Sequence, residues 1–414
     1  MPRLLLFATT TGYQLRTFAA AAERLNIDLT LATDHCHNMS DPWGDHAIAV
    51  RYRDLPGSLE ALRGMRFDAV VAVGDAPVVL AAETAQMLGA PFHPPATARA
   101  CRDKYLARQL FQAAGLPVPE FFRVPLSDPP EAAASRAPYP CVLKPLGLSG
   151  SRGVIRANDR DEFIVAYARI KTLLEKSPDI RITREEQHRY LQVEAYIPGR
   201  EFAVEGIVTR GDPRILAIFD KPDELAGPFF EETLYVTPSR ESAATQLRMR
   251  EAVARAARAL GLYHGPFHAE LRVNDAGVWM LEVAARPIGG LCSRALRFGS
   301  GMPLEELILR HAIGEDTTCL ERAGEASGVM MIPIPRAGVY EDVAGIAEAL
   351  AVEGIDDVII TAKPRQPLAP LPEGSSYLGF IFARGGDPAS VEMALRQAHQ
   401  QLHFRFSAAL PAFK

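Results

Sequence analysis

Residues 265–294, GPFHAELRVNDAGVWMLEVAARPIGGLCSR, constrain this chain more than any other stretch. They read as two short strands around a turn, followed by a glycine-rich loop. Leu271, Val273, Val278, Leu281 and Val283 favour strand, and Asn274-Asp275-Ala276-Gly277 is turn chemistry. One strand carries Glu270, the other Glu282, and Arg286 follows at once. With an odd number of residues in the loop, the two glutamates pair directly and share a face. Carboxylates that close repel unless a cation lies between them. Arg286 can bridge them in a salt-bridged hairpin. A divalent metal with oxygen ligands is the sharper alternative. The pattern alone leaves both open.

A chain of 414 residues has room for two to four domains around such a hairpin. Hydrophobic residues make up 48% and charged ones 23%, which is globular composition with a real core. A net charge of −5 argues against an extended nucleic-acid surface. The opening MPRLLLFATTTGYQ is too short an apolar run for a signal peptide, and no stretch reaches membrane-spanning length. The five cysteines include no C-x-x-C pair and are odd in number, which fits a reducing cytoplasm. Asp34-His35-Cys36-His37, with His46, superficially resembles a metal cluster. Its spacing matches no zinc pattern, so a polar loop is expected there.

Strand, loop, helix and strand alternate over the first 95 residues, as in a small doubly wound domain: 4–8, 16–25, 29–32, 67–73 and a helix over 78–88 closed by Gly89. No G-x-G-x-x-G follows the first strand, and no P-loop occurs anywhere. Residues 96–114 have helical period; 128–140, rich in Pro and Ala, reads as loop; 140–145 is a compact strand. A helix over 159–175, a strand over 192–197, a hairpin over 201–220 and a helix over 241–260 follow. Beyond residue 310 the texture is α+β: strands near 330–335, 358–361 and 377–383, helices over 344–351 and 388–402. The Pro-rich 364–372 reads as a surface connection.

Lys144 sits in an apolar strand that runs into Gly147, Gly150, Ser151 and Gly153. A lysine there needs a counter-charge, and glycines let backbone N–H groups approach an anion. A phosphate cradle competes with a tight turn around a salt-bridged lysine. Glu201 and Glu205 share one strand face, away from Phe202 and Val204, and point either at a ligand or at solvent. Lys221 ends the paired strand, and Glu231-Glu232 lies in a loop; both are ordinary solvated positions unless neighbours say otherwise. Nucleophilic catalysis lacks support, because there is no G-x-S-x-G and no cysteine with an activating neighbourhood.

Taken together, these residues resemble the ATP-grasp superfamily of carboxylate–amine and carboxylate–thiol ligases. Asp103-Lys104 with Arg108, the strand VLKP around Lys144, the loop 147–154, EAYI at 194–197, IPGREF around Glu201, then Glu270, Glu282 and Arg286 come in the family's order. The likeness is greatest to bacterial L-amino-acid ligases, the dipeptide-forming enzymes of the bacilysin-synthetase kind. FDKPDELAGPFFEE, EVAARPIGG and YLGFIFARG carry it.

The resemblance implies an α/β and α+β chain: a Rossmann-like pre-ATP-grasp domain over 1–95, an ATP-grasp unit over 96–318 with its lid at about 120–195, and an α+β domain over 319–414. It implies ATP and Mg2+, with Mn2+ as the alternative ion. Lys104, Lys144, Gly150, Ser151 and Gly153 would meet the phosphates. Glu194, Ala195 and Ile197 would bind adenine through the backbone, and Glu201 the ribose. Glu270 and Glu282 would hold the metal; Arg286 and Lys221 would act on the transferring group; Glu232, Gly289 and Gly290 are the substrate-side candidates. Many relatives read E-x-N-x-R at the metal site, where this chain has Ala284, which cannot coordinate. The implied reaction joins a carboxylate and an amine, both small molecules and in this case amino acids, through an acyl phosphate. A cytoplasmic homodimer, free of membrane and nucleic acid, goes with it. Alternatives are an ATP-grasp enzyme of nucleotide-pathway or carboxylase type and a non-catalytic nucleotide-binding regulator.

Overall fold

Apolar runs at the N-terminus become a parallel sheet of β1 (Arg3–Ala8), β2 (Asp28–Thr33), β3 (Ala47–Ala49) and β4 (Ala69–Val73), in the order β3-β2-β1-β4. The computed structural model describes residues 1–9, 14–34, 47–177, 180 and 185–408; His35, Cys36, His37 and His46 lie outside them. All of β4 is buried, as a parallel strand covered on both faces must be. The helix Val78–Leu88 ends at Gly89, whose φ of 70° supplies the left-handed cap.

The single helix expected over 96–114 is two, Pro95–Cys101 and Lys104–Ala113. Asp103 between them is extended, and its carboxylate accepts from the amides of Tyr105 and Leu106. An aspartate that satisfies those orphan donors stabilises a new helix start over continuation of the old helix. The break sets Lys104 on the first turn of the second helix.

A second, antiparallel sheet contains β5 (Phe121–Pro125), β6 (Cys141–Pro145), β7 (Ile155–Ala157) and β8 (Tyr190–Ala195), in the order β5-β8-β6-β7. The helix Arg160–Lys176, capped by Asp159, buries Phe163, Tyr167 and Ile170 against it. Each such side chain contributes about 1.5–3 kcal/mol. Part of the loop expected over 128–140 is the helix Pro130–Arg136, where Pro stands in the first turn and alanines follow.

The third sheet is antiparallel and eight-stranded. It draws on β9 (Arg200–Thr209), β10 (Asp212–Asp220), β11 (Leu234–Thr237), β12 (Gly265–Asn274) and β13 (Gly277–Ala284). After a ribbon of β14 (Arg297–Phe298) and β15 (Met302–Pro303), β16 (Ala326–Ile332), β18 (Ile355–Ile360) and β20 (Gly379–Gly385) extend it to the order β13-β12-β9-β10-β11-β16-β20-β18. The sheet thus runs uninterrupted across residue 318. β17 (Gly338–Ala344), β19 (Pro367–Leu368) and β21 (His403–Ser407) form a small sheet beside it. Among the described residues no helix is long and apolar enough to cross a membrane.

The β9–β12–β13 end of this sheet positions the chemistry. Phe202, Val204, Phe267, Ala269, Leu271, Met280 and Val283 enter one core with Met249 and Val253 of the helix Ala243–Ala259. Strand alternation sends Glu201, Glu205, His268, Glu270 and Arg272 to the other face. The hairpin turn holds two residues, Asp275 and Ala276, not an odd number, because Asn274 pairs with Gly277. Regular pairing from that turn would set Glu270 against Leu281 and turn Glu282 to the apolar side. A β-bulge intervenes: Leu271 pairs with Met280, but Glu270 pairs with Glu282 and His268 with Ala284.

Asp103→Ala removes the cap that separates the two helices. Denaturant unfolding should show a loss of about 1 kcal/mol, within the 0.5–2 kcal/mol typical of such caps.

Candidate active site

The face that carries Glu270 and Glu282 floors a cleft. Val142, Val154, Tyr196, Ile197 and Phe230 line it with apolar surface; Lys104, Lys144, Glu232 and Arg286 line it with charge. The glycine loop between β6 and β7 closes one side through Ser149, Gly150 and Ser151. Gly150, Ser151 and Gly153 have φ values of 62°, 55° and 72°, a left-handed path that two glycines make accessible. The Gly153 amide donates to the Pro372 carbonyl, and Arg152 Nε donates to the Glu373 carbonyl at 3.0 Å. The Pro-rich segment expected as a bare surface connection therefore ends packed on this loop.

Lys144 and Glu194 form a buried pair with Arg108. Glu194 Oε2 accepts from Arg108 Nη2 at 2.8 Å and from Gln192 Nε2 at 2.7 Å, while its other oxygen meets the Lys144 ammonium. Burial alone would raise the Glu194 carboxyl; Arg108 and Lys144 override it and hold it at about 2. The side chain of Glu194 is fully committed. At its neighbours, the Ala195 amide donates to Glu120, the Tyr196 amide to Pro140, and the Ile197 carbonyl accepts from Arg272 at 2.7 Å. Lys104 Nζ donates to the Leu148 carbonyl at 2.6 Å and lies 3.2 Å from Glu282.

Lys221 is not the solvated strand end that its position implies, nor does its ammonium face the cleft. Its side chain is 3% exposed, and the ammonium is enclosed by Glu201 (2.8 Å), Glu232 and Glu270 (3.5 Å). Glu201 also accepts from Arg272 Nε at 2.8 Å, so both of its oxygens are engaged. Burial would raise Glu201, but Lys221 and Arg272 hold it below the usual carboxylate range. Glu232 goes the other way. Burial and the Glu270 charge, against the pull of Lys221, push it up to about 7, and Tyr235 donates to its second oxygen at 2.7 Å.

Burial and the charges of Glu201 and Glu282, against the pull of Lys221, also raise Glu270. A divalent cation fits here on that ground. Carboxylate oxygens of Glu201, Glu232 and Glu270 lie within 4.8 Å of one another, but Lys221 already sits among them. On its other side Glu270 faces Glu282 across the ladder, where Lys104 lies 3.2 Å from Glu282. Hard carboxylate oxygens of this kind suit Mg2+ or Mn2+.

Arg286 does not bridge the two glutamates. It forms a bidentate pair with Asp75, Nε to Oδ1 at 2.8 Å and Nη2 to Oδ2 at 3.0 Å, and donates through Nη1 to the Pro287 carbonyl. Burial would raise Asp75; the Arg286 guanidinium overrides it and holds it at about 2. Asp75 follows Gly74 just beyond the carboxyl end of β4, the crevice where open α/β sheets hold ligands, and that position was its one signal in the sequence. Gly289 lies against the Arg286 guanidinium, and Gly290 lies under the Phe380 ring; neither lines the cleft. Glu205 shares the face of Glu201, as its spacing implies, and points inward, not at solvent; Arg272 and His268 carried no such expectation, although two-residue spacing from Glu270 puts them on the same face.

A family model described as "ATP-grasp domain" matches residues 137–295, and one described as "L-amino acid ligase C-terminal domain 2" matches 330–407. The chain carries an ATP-grasp domain. Carnosine synthase 1 of Gallus gallus is 31% identical over 242 residues, 56% of this chain and 26% of its own. Alanine--anticapsin ligase of Bacillus subtilis is 26% identical over 247 residues, 56% of this chain and 51% of its own. The chain thus spans about half or less of the length of these curated relatives. An L-amino acid ligase structure from Bacillus licheniformis superposes with a TM-score of 0.81 at 24% identity, over 98% of this chain and 99% of that one. The fold is the ATP-grasp fold, expected α/β and α+β character included.

Folding depresses the Asp75 carboxyl from its ordinary 3.8 to about 2, so the pair's contribution is complete above pH 3.8 and fades as pH falls toward 2. Asp75→Asn should lower unfolding free energy at pH 7, and the gap from the parent should narrow below pH 4. Urea denaturation across that range measures both.

Proposed function

We propose that this protein is an ATP-dependent carboxylate–amine ligase that joins L-amino acids into a dipeptide through an acyl phosphate. The observation that carries this reading is the pairing of Glu270 with Glu282 on the floor of a cleft walled by Lys104, Lys144, the glycine loop and Arg286. The apolar slot of Val142, Val154, Tyr196, Ile197 and Phe230 suits a purine ring, with the backbone of 194–197 at its edge. Lys104, Lys144 and the amides of Gly150 and Ser151 suit the phosphates. Gly153, whose amide serves Pro372, shapes the loop. Glu201, held by Lys221 and Arg272, would lie on the ribose side. Glu270 and Glu282 would hold Mg2+ or Mn2+, which would neutralise charge on the phosphates.

In the reaction, a substrate carboxylate oxygen attacks the γ-phosphorus and ADP leaves. An amine then attacks the acyl carbon, and phosphate leaves. Arg286, aimed by Asp75, holds the carboxylate and then the tetrahedral oxyanion. Lys221 holds Glu201, Glu232 and Glu270 in place rather than touching the phosphoryl group. Glu232 lines the cleft and would face the ammonium of an amino-acid substrate from between Lys221 and Tyr235, which hold its two oxygens. The loop over the cleft excludes water that would hydrolyse the acyl phosphate. The described cysteines are free, in keeping with a reducing cytoplasm.

Phosphate release from ATP and Mg2+ should require a carboxylic acid and an amine together, and a screen over pairs of amino acids should find active pairs. Indifference to the whole panel would reject the dipeptide reading. Glu282→Ala should abolish turnover while the circular dichroism spectrum stays native. Arg286→Ala should lower kcat by about 10²–10³-fold. Lys144→Ala should weaken ATP binding in calorimetry.

A further inference from the structure

We propose that His268 is a nitrogen ligand of the divalent cation on Glu270, doing the work that Ala284 cannot. This rests on the ligase reading above. His268 and Glu270 are two apart on β12, so both side chains leave the same face. Ala284 is the residue directly opposite His268 on β13, and Glu205 is the residue directly opposite it on β9. The position that lacks an oxygen donor therefore faces the imidazole.

A buried carboxylate lies behind the ring. Glu205, fully buried, lies with Oε2 at 3.1 Å from His268 Nδ1, and both Glu205 oxygens accept from the Ile288 amide at 3.1–3.2 Å. The tautomer that donates from Nδ1 to this carboxylate is the one that leaves the Nε2 lone pair for a metal. This is the carboxylate–histidine–metal arrangement, in which the outer carboxylate fixes tautomer and ring angle. Nε2 lies 3.7 Å from Glu270 Oε1. That is too long for a hydrogen bond. It falls within the spread of roughly 3–4.2 Å between two donors each about 2.1 Å from one ion. The other Glu270 oxygen, Oε2, is turned to Lys221 at 3.5 Å, so Oε1 is the one left for the cation.

One imidazole among carboxylates shifts the site's preference from Mg2+ toward Mn2+ and later first-row ions. The test is electron spin-echo spectroscopy of Mn2+ bound with a non-hydrolysable ATP analogue, using protein carrying 15N-labelled histidine. A 15N-histidine coupling to Mn2+ is expected. His268→Ala should remove it and weaken Mn2+ binding at least about tenfold, more than it weakens Mg2+ binding. Glu205→Gln should keep the coupling but weaken Mn2+ binding by roughly 10–100-fold. Bound Mn2+ without histidine coupling in the unsubstituted protein overturns the inference and leaves the ligase reading standing. No nucleotide-dependent Mn2+ binding at all overturns both.

Discussion

Two carboxylates held face to face across a strand pair must be compensated, and much of the architecture around the cleft serves that requirement. Glu270 and Glu282 would repel at any separation the β-ladder allows. Lys221, Lys104 and Arg272 are drawn into the same small volume, and each is itself buried or nearly so. A buried ammonium among three acids is stable only while those acids remain, since stripping one partner from a buried pair costs about 3–5 kcal/mol. The charges are therefore interlocked. Glu270 shares the Lys221 ammonium, at 3.5 Å, with Glu201 and Glu232, and a cation beside it would ease that crowding.

No single sheet makes the site. The parallel N-terminal sheet contributes Asp75 at the end of β4, the second sheet contributes Lys144 and Glu194, and the large antiparallel sheet contributes the acidic floor. Arg286 and Asp75 are 211 residues apart, and Arg152 and Glu373 are 221 apart. The second of these contacts joins the glycine loop to the segment before β20. A loop that closed over a nucleotide would carry that segment with it, and Arg286 is aimed by a residue from another layer of the molecule. These polar contacts tie the layers together around the cleft.

The elements themselves were largely legible in the sequence, because their causes are local. Periodicity, caps and turn residues marked β1, β4, the helix Val78–Leu88, the β9–β10 hairpin and the helix Arg160–Lys176. The failures were local too. Asp103 preferred to cap rather than continue a helix, and Pro130 with an alanine run started one where proline and alanine read as loop. The shared face of Glu201 and Glu205 followed from two-residue spacing, and Lys144 followed from its glycine neighbours, whereas His268 and Arg272 beside Glu270 carried no signal that was read.

By itself, the sequence determined that Lys144, Glu201, Glu270 and Glu282 carry charge into apolar strands, and so that each must be met by a counter-charge or a ligand. Only the tertiary structure decided how. The bulge at Leu281 is a one-residue adjustment within a ladder, invisible to any pattern of period two, yet it moves Glu282 from the apolar face to the floor of the cleft. The partner of Arg286 was equally hidden, because an ion pair across 211 residues is selected by how layers pack and not by spacing along the chain. The same holds for Lys221. Its position at a strand end reads as solvated, and it is buried because three acids from β9, β12 and the loop before β11 converge on it, where only a cation lowers the cost of their burial.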